Sequence, residues 1–463
     1  MSLKSGPPPE VSASQRRATL FLNLGLGGIL GALALFAGLV HTYASRVGVE
    51  SSGLRHLLTA LLLIMAFAVL VMVLPHRGLK KVFLLPFFVF GLFEFLLQIT
   101  SLLGILPYFN TVVWAPYARC YWTQEGFCNS VLNRYGWHTA RFRLDPGSQR
   151  IALIGDSYVD AAQVPPDENL GVRLDQLLSA GGGDREVLSL GLSGMGPAQY
   201  LEIARYALRH FHPREILVGL YLGNDFRNLL PELERASPHH YIYYEVGPDD
   251  RPRLLPESHF AVKDFRLMLD KNHRGLLFNG FRILRGHCLT YAMIYRIKCS
   301  WLVWHEQRRQ AATPTDAEAA LRAIGLDGFV FRKHDATGSA ERALTLAEAL
   351  LAELHEECLS RDVTLRIFTI PAFPATYYAV GTPGYGRLED EELDFLLPEK
   401  RLAVFAAQRG IPFLPLGETL HRSLSPEEIH RLSTNGLGHF TPEGHQKVAD
   451  LLRDAFYPAA AAR

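Results

Sequence analysis

The sequence predicts an α/β protein: a parallel sheet with helices on both faces, preceded by three membrane-crossing helices. Three observations predict it. Short apolar runs alternate with helical segments from about residue 148 onward, the rhythm of strands joined by crossover helices. Three long apolar runs lie before Pro107. Glycine-containing turns with polar, reactive side chains follow the apolar runs, where ligands gather in an open α/β sheet.

The chain has 463 residues, enough for more than one domain, and a net charge of +1 from 47 basic and 46 acidic residues. That balance gives no footing for a nucleic-acid partner. The five cysteines, Cys120, Cys128, Cys288, Cys299 and Cys358, show no CxxC or Cys/His spacing, so no metal is expected. Cys120 and Cys128 share one short loop and could bridge outside the cytoplasm or stay free thiols.

Residues 1–17 are polar and proline-containing and read as a disordered cytoplasmic tail. Ala18 to Val40, Leu57 to Leu74 and Val82 to Leu106 each meet the roughly 20-residue length of a bilayer crossing. Lys4, Arg16 and Arg17 precede the first run, and Arg77, Lys80 and Lys81 fill the link between the second and third; Arg46 and Arg55 alone lie in the other link. Basic residues favour the inner side. The amino terminus is therefore expected inside and everything after Leu106 outside, in a bacterial periplasm, with the bilayer as partner and room for membrane partner proteins. Glu94 and Gln98 share a helix face in the third run. A carboxyl there is either functional or a neutral group bonded to Gln98 or Asn23.

Residues 107–147 read as a linker whose Trp114, Tyr117, Tyr121 and Trp122 suit a membrane interface. The domain at 148–463 then unfolds in order. Ile151–Ile154 is a buried strand, Glu168–Ala180 a helix, Glu186–Leu190 a second strand, and Pro197–His210 a helix opened by proline. Glu215–Leu222 is a third strand, Ala340–Ser360 a helix rich in Ala, Leu and Glu, and Val363–Ile370 a fourth strand. Glu399–Arg409 is a helix, Ile411–Leu416 a fifth strand, and Thr441–Phe456 a last helix capped by Thr441 with Pro442 in its first turn. A doubly wound, flavodoxin-like strand order fits. Residues 226–338 break the rhythm. An insertion of that length is a cap over the site, a surface meeting the membrane, or decoration.

The chemistry gathers after the strands. Ser157 follows the first strand in Gly155-Asp156-Ser157. A serine hydroxyl needs a base, and His439, just before the last helix, can take its proton near neutral pH. Gly194, in the turn after the second strand, and Asn224, after the third, could donate to an oxyanion. Taken together, Gly155-Asp156-Ser157, Gly194, Gly223-Asn224-Asp225 and His439 resemble the blocks of the SGNH (GDSL-like) hydrolase superfamily. The resemblance covers about residues 148–457 apart from the insertion. It implies a three-layer α/β/α fold, no cofactor, and ester or acyl-transfer chemistry. Placement outside the membrane points to acyl esters of cell-envelope glycans as substrate, and the anchored site with its aromatic insertion to lipid esters as the alternative. One position departs: the aspartate the family carries three residues before its histidine is Gly436 here. Asn435 is a possible orienter of His439, as is a backbone carbonyl.

Overall fold

A computed structural model describes residues 89–100, 111–112, 114–122, 125–180, 184–234, 242–274, 276–294, 297–298, 301, 326–372, 393–434 and 438–458. The tail at 1–17 and the runs at 18–40 and 57–74 lie outside the described residues. Of the third run, residues 89–100 are helical. Among the described residues no helix is long and apolar enough to cross a membrane.

The chain divides into two compact units. Residues 1–107 and 287–291 form one, and 108–286 with 292–463 the other. In the first unit Glu94 is buried and gathers donors. It accepts from Gln98 Nε2 at 2.6 Å, from the backbone amides of Leu289 and Thr290 at 2.9 and 2.8 Å, and from the Thr290 hydroxyl at 2.7 Å. This is a carboxylate capping the start of a helical stretch, so Glu94 ties part of the insertion to the 89–100 helix. Of the alternatives above, Gln98 is a partner, and Asn23 lies outside the described residues.

The second unit is built on a five-stranded parallel sheet. Its strands are β4 (Gln149–Gly155), β5 (Arg185–Gly191), β6 (Glu215–Tyr221), β9 (Thr364–Ile370) and β10 (Phe413–Leu414), in the order β10-β9-β6-β4-β5. Counted along the chain this is 2-1-3-4-5, the flavodoxin-like order. Because successive strand residues face opposite ways, Ala152, Ile154, Ile216 and Val218 enter one buried cluster while Ile151, Leu153 and Leu217 enter the other. The helix α1 (Ser157–Asp160) opens directly from β4. The second cluster is covered by α2 (Leu170–Ala180), the first by α3 (Pro197–His210). Three layers result.

In the insertion, the short hairpin β7 (Tyr244–Val246) and β8 (Pro252–Leu254) leads into α4 (His259–His273) and α5 (Leu276–His287). The bonds of α4 fall on the middle and last turn of α3: Arg266 to Glu202 at 2.8 Å, His210 to Asp270 at 3.2 Å and Tyr206 to His273 at 3.4 Å. These lie toward the strands' amino-terminal ends, so α4 braces the helical layer and does not cap the opposite rim. Further on, α6 (Ser339–Leu359) and α7 (Leu397–Arg409) join α3, and α8 (Leu416–Ser423) and α9 (Pro442–Phe456) join α2.

Two expectations need correction. The fifth strand stops at Leu414, because Pro415 has no N–H to pair and Leu416 already begins α8. Residues 107–147 are more than a linker: β1 (Thr111–Val112), β2 (Arg119–Trp122) and β3 (Cys128–Val131) form an antiparallel sheet in the same unit as the parallel one. Tyr121, expected at a membrane interface, is fully buried there.

Candidate active site

The rim of the parallel sheet presents Ser157. β4 ends at Gly155, and Asp156 caps α1 by accepting from the Tyr158 amide at 2.9 Å. Ser157 thus stands on the first turn after an interior strand, flanked by β5 and β6. Gly191, the last residue of β5, makes room for that turn. A Cβ there would lie 2.1 Å from the Asp160 nitrogen and 2.4 Å from the Val159 carbonyl carbon.

His439 arrives from the other end of the chain. Its Nε2 lies 2.7 Å from the Ser157 hydroxyl oxygen. Residues just beyond Ser157 hold the loop on both sides of the imidazole: the Tyr158 hydroxyl donates to the Gly438 carbonyl at 3.3 Å, and Gln163 Nε2 to the Phe440 carbonyl at 3.0 Å. The Tyr158 ring lies 4.7 Å from the imidazole, centre to centre. Thr441 caps α9 by accepting from the Gly444 amide at 3.1 Å, so the helix start anchors the loop as its Thr-Pro opening predicts.

The second imidazole nitrogen meets a residue that the sequence reading overlooked. His439 Nδ1 is in short contact with Glu125 Oε2, and the His439 amide donates to the same oxygen at 3.2 Å. With a carboxylate at Nδ1, the proton sits there, and Nε2 is left as the acceptor facing Ser157. Asn435 lies outside the described residues; the orienting position beside Nδ1 is taken by Glu125. Glu125 comes from the loop between β2 and β3. Gly438 allows the approach, since a Cβ on it would meet the Glu125 carboxyl carbon at 3.0 Å. The residues just before the histidine give no sign of it, because the acid precedes the serine by 32 positions. The one available signal was an acidic residue followed by glycine between two short β-prone stretches.

Burial and charge oppose each other at this relay. Burial pulls the His439 pKa down, but the bond to Glu125, its charge, and those of Asp156 and Asp160 outweigh it, so the imidazole titrates above its ordinary 6.5. Burial pushes the Glu125 pKa up, and its bonds to His439 bring it below the ordinary carboxylate value. The pair therefore favours imidazolium beside carboxylate, the arrangement needed once the histidine has taken a proton. Burial raises Asp156 to about 6. The Ser157 hydroxyl has a second acceptor in Asp156 Oδ2 at 3.2 Å, longer than its approach to His439.

Two further turns lie at the carboxyl ends of neighbouring strands. Gly194 sits in the turn after β5 with φ of 75°, a left-handed conformation that glycine adopts without strain. Asp160, buried, holds that turn by accepting from the Ser193 hydroxyl at 2.5 Å and its amide at 3.3 Å. Asn224 is half-buried in the turn after β6, and its side-chain oxygen is buried with no hydrogen-bond partner. Asp225, next along, is fully buried and ties the turn by accepting from the Tyr221 amide at 2.9 Å and the Tyr200 hydroxyl at 3.0 Å.

The structure also gathers residues whose sequence spacing gave no sign of it. Cys120, Cys128 and His138 place one ligand atom each within 4.8 Å of the others. The expectation that no Cys/His cluster exists is corrected: the antiparallel sheet, absent from the sequence reading, brings them together.

No family model matches the chain, and no curated protein matches it. Solved structures do align. TesA is 10% identical with a TM-score of 0.33, over 67% of this chain and 100% of that one. The acetyl xylan esterase AlAXEase is 10% identical with a TM-score of 0.31, over 66% of this chain and 99% of that one. A GDSL-like lipase from Bacteroides thetaiotaomicron is 11% identical with a TM-score of 0.28, over 67% and 89%. Likenesses at this level carry no weight for chemistry; the geometry of Ser157, His439 and Glu125 does.

Proposed function

We propose that the chain is a membrane-anchored, extracytoplasmic serine esterase or O-acyltransferase of SGNH type, acting on acyl esters, acetyl esters above all, of cell-envelope glycans. The observation that carries the chemistry is the Ser157–His439–Glu125 relay, with Nε2 at 2.7 Å from the hydroxyl. Placement outside the membrane rests on the basic residues flanking the apolar runs, and the glycan substrate on that placement. No cofactor enters the reaction.

In this reading His439 Nε2 takes the Ser157 proton as the oxygen attacks the ester carbonyl. The carbonyl π electrons move to oxygen, and donors from the Ser157 and Gly194 amides and the Asn224 side chain stabilise the oxyanion. Glu125 stabilises the imidazolium. Collapse expels the alcohol, which recovers its proton from His439, and leaves Ser157 acylated. Water then gives hydrolysis; a sugar hydroxyl gives transfer. A lipid ester is the alternative acyl donor. The absence of an aspartate three residues before His439 would favour a catalytically decayed glycan-binding module, but Glu125 beside Nδ1 supplies the carboxylate from elsewhere in the chain.

The test is labelling of the full-length protein by a serine-directed fluorophosphonate. The wild type is labelled and Ser157→Ala is not, and ester turnover falls by about 10⁵- to 10⁶-fold in the variant. Equal labelling of both proteins would remove Ser157 as nucleophile.

A further inference from the structure

Cys120 on β2, Cys128 at the start of β3 and His138 beyond it lie in the interior, with relative exposures of 0%, 2% and 2%. Their two sulfurs and one imidazole nitrogen converge within 4.8 Å. His138 Nε2 lies 3.5 Å from Cys128 Sγ, while Nδ1 lies 2.9 Å from the Asp160 carbonyl oxygen. The carbonyl can only accept, so Nδ1 carries the proton and the Nε2 lone pair faces the sulfur. A histidine fixed through its far nitrogen by a carbonyl is the usual support of a metal-ligating imidazole. The Ser130 hydroxyl is at the same focus, 2.9 Å from His138 Nε2 and 3.2 Å from Cys128 Sγ.

The strand register argues between an ion and a disulfide. Cys120 pairs with Ser130, and Trp122 pairs with Cys128. The cysteines are thus diagonal neighbours, a relation that puts Cα atoms roughly 7–8 Å apart, at or beyond the reach of about 7 Å for a disulfide. A tetrahedral ion bound at about 2.3 Å from each thiolate keeps the sulfurs roughly 3.8 Å apart and accommodates that wider spacing. Two thiolates and an imidazole are the donor set of zinc.

We propose that Cys120, Cys128 and His138 form a structural zinc site, with the Ser130 hydroxyl or a water as fourth ligand. Its place in the fold gives it a purpose. Cys128 lies three residues after Glu125, and His138 is bonded to the last carbonyl of α1, the helix that Ser157 begins. The ion fastens the hairpin bearing Glu125 to the helix bearing Ser157. The site itself does not depend on the esterase reading; only this consequence does.

The experiment uses the full-length chain purified in detergent without chelator, with zinc measured by elemental analysis. One zinc ion per chain is expected, retained in Ser157→Ala and lost in Cys120→Ser and Cys128→Ser. Should those variants fail to fold, the wild type is stripped by chelation under native conditions and reloaded with cobalt(II), whose thiolate charge-transfer band reports sulfur ligation. Absence of zinc as purified together with no cobalt band after reloading overturns the proposal. So does a Cys120–Cys128 disulfide found by peptide mapping after thiol alkylation. Failure of the esterase reading would appear separately, as zinc-replete protein without turnover.

Discussion

Ser157 and Glu125 touch the same histidine from structures of opposite kinds. Ser157 stands at the end of β4, an interior strand of a parallel sheet, buried on both faces. Glu125 stands on a loop between two four-residue strands of a small antiparallel sheet. The first support is held by the packing of two apolar clusters; the second leans on bonds to His439 and on the closeness permitted by Gly438. The difference teaches where each kind of defect should appear: on the sheet side as lost stability, on the hairpin side as lost orientation.

The largest test of that division is Glu125→Gln. The isostere keeps the volume but removes the charge that faces Nδ1, and it can invite the wrong tautomer. A fall in kcat of about 10³- to 10⁴-fold is expected, with little change in unfolding midpoint. The pH profile gives a second readout. His439 acts as base only when neutral, and its folded pKa lies above 6.5, raised against burial by Glu125 and two aspartates. The acid limb of kcat/KM therefore sits above 6.5 in the wild type and moves to lower pH in Glu125→Gln. A limb that stayed in place would show that Glu125 does not govern the imidazole.

Paired glycine substitutions sharpen the contrast. In Gly191→Ala the new methyl meets the backbone of Val159 and Asp160, which cannot give way without moving α1. A loss of about 1–3 kcal/mol is expected, seen as a lower denaturant midpoint at unchanged slope. In Gly438→Ala the methyl meets a side-chain carboxyl at 3.0 Å, and a shift of a few tenths of an ångström relieves it. Stability should hardly change while kcat drops about tenfold, since orientation errors of about 1 Å already cost 10²-fold. If Gly438→Ala proves the less stable of the two, the division between the supports is wrong.

The same contrast explains what was legible in the sequence. The strands β4, β5, β6 and β9 are short apolar runs because both of their faces are buried, while α6 shows itself by its run of Ala, Leu and Glu and α9 by its Thr441 cap. Ser157, Gly194 and Asn224 could be singled out because they follow such strands, and His439 because it stands just before α9. The structure brings Ser157 and His439 into contact and places Gly194 and Asn224 in turns at neighbouring strand ends. Glu125 was hidden because strands of two to four residues, such as β1, β2 and β3, leave too few alternations to register. Cys120, Cys128 and His138 were hidden for the same reason: their proximity comes from a pairing register, which their spacing does not encode. The overlong reading of the fifth strand ignored Pro415, and with it the start of α8.

The smallest expected effect lies where the two supports meet. Tyr158, one residue after Ser157, donates to the carbonyl of Gly438, one residue before His439, while its ring lies against the imidazole. Tyr158→Phe keeps the ring and removes the hydroxyl, and Tyr158 is buried at 3% exposure, so water does not readily replace the lost donor. A net hydrogen bond of this kind contributes about 0.5–1.5 kcal/mol. The expected result is a fall in kcat of less than tenfold at unchanged KM. The acid limb should stay where it is in the wild type, because the charges acting on His439 are untouched. A shift of the limb as large as that of Glu125→Gln would mean that the tyrosine hydroxyl, and not the carboxylate, sets the imidazole, and the two supports could no longer be treated as separate.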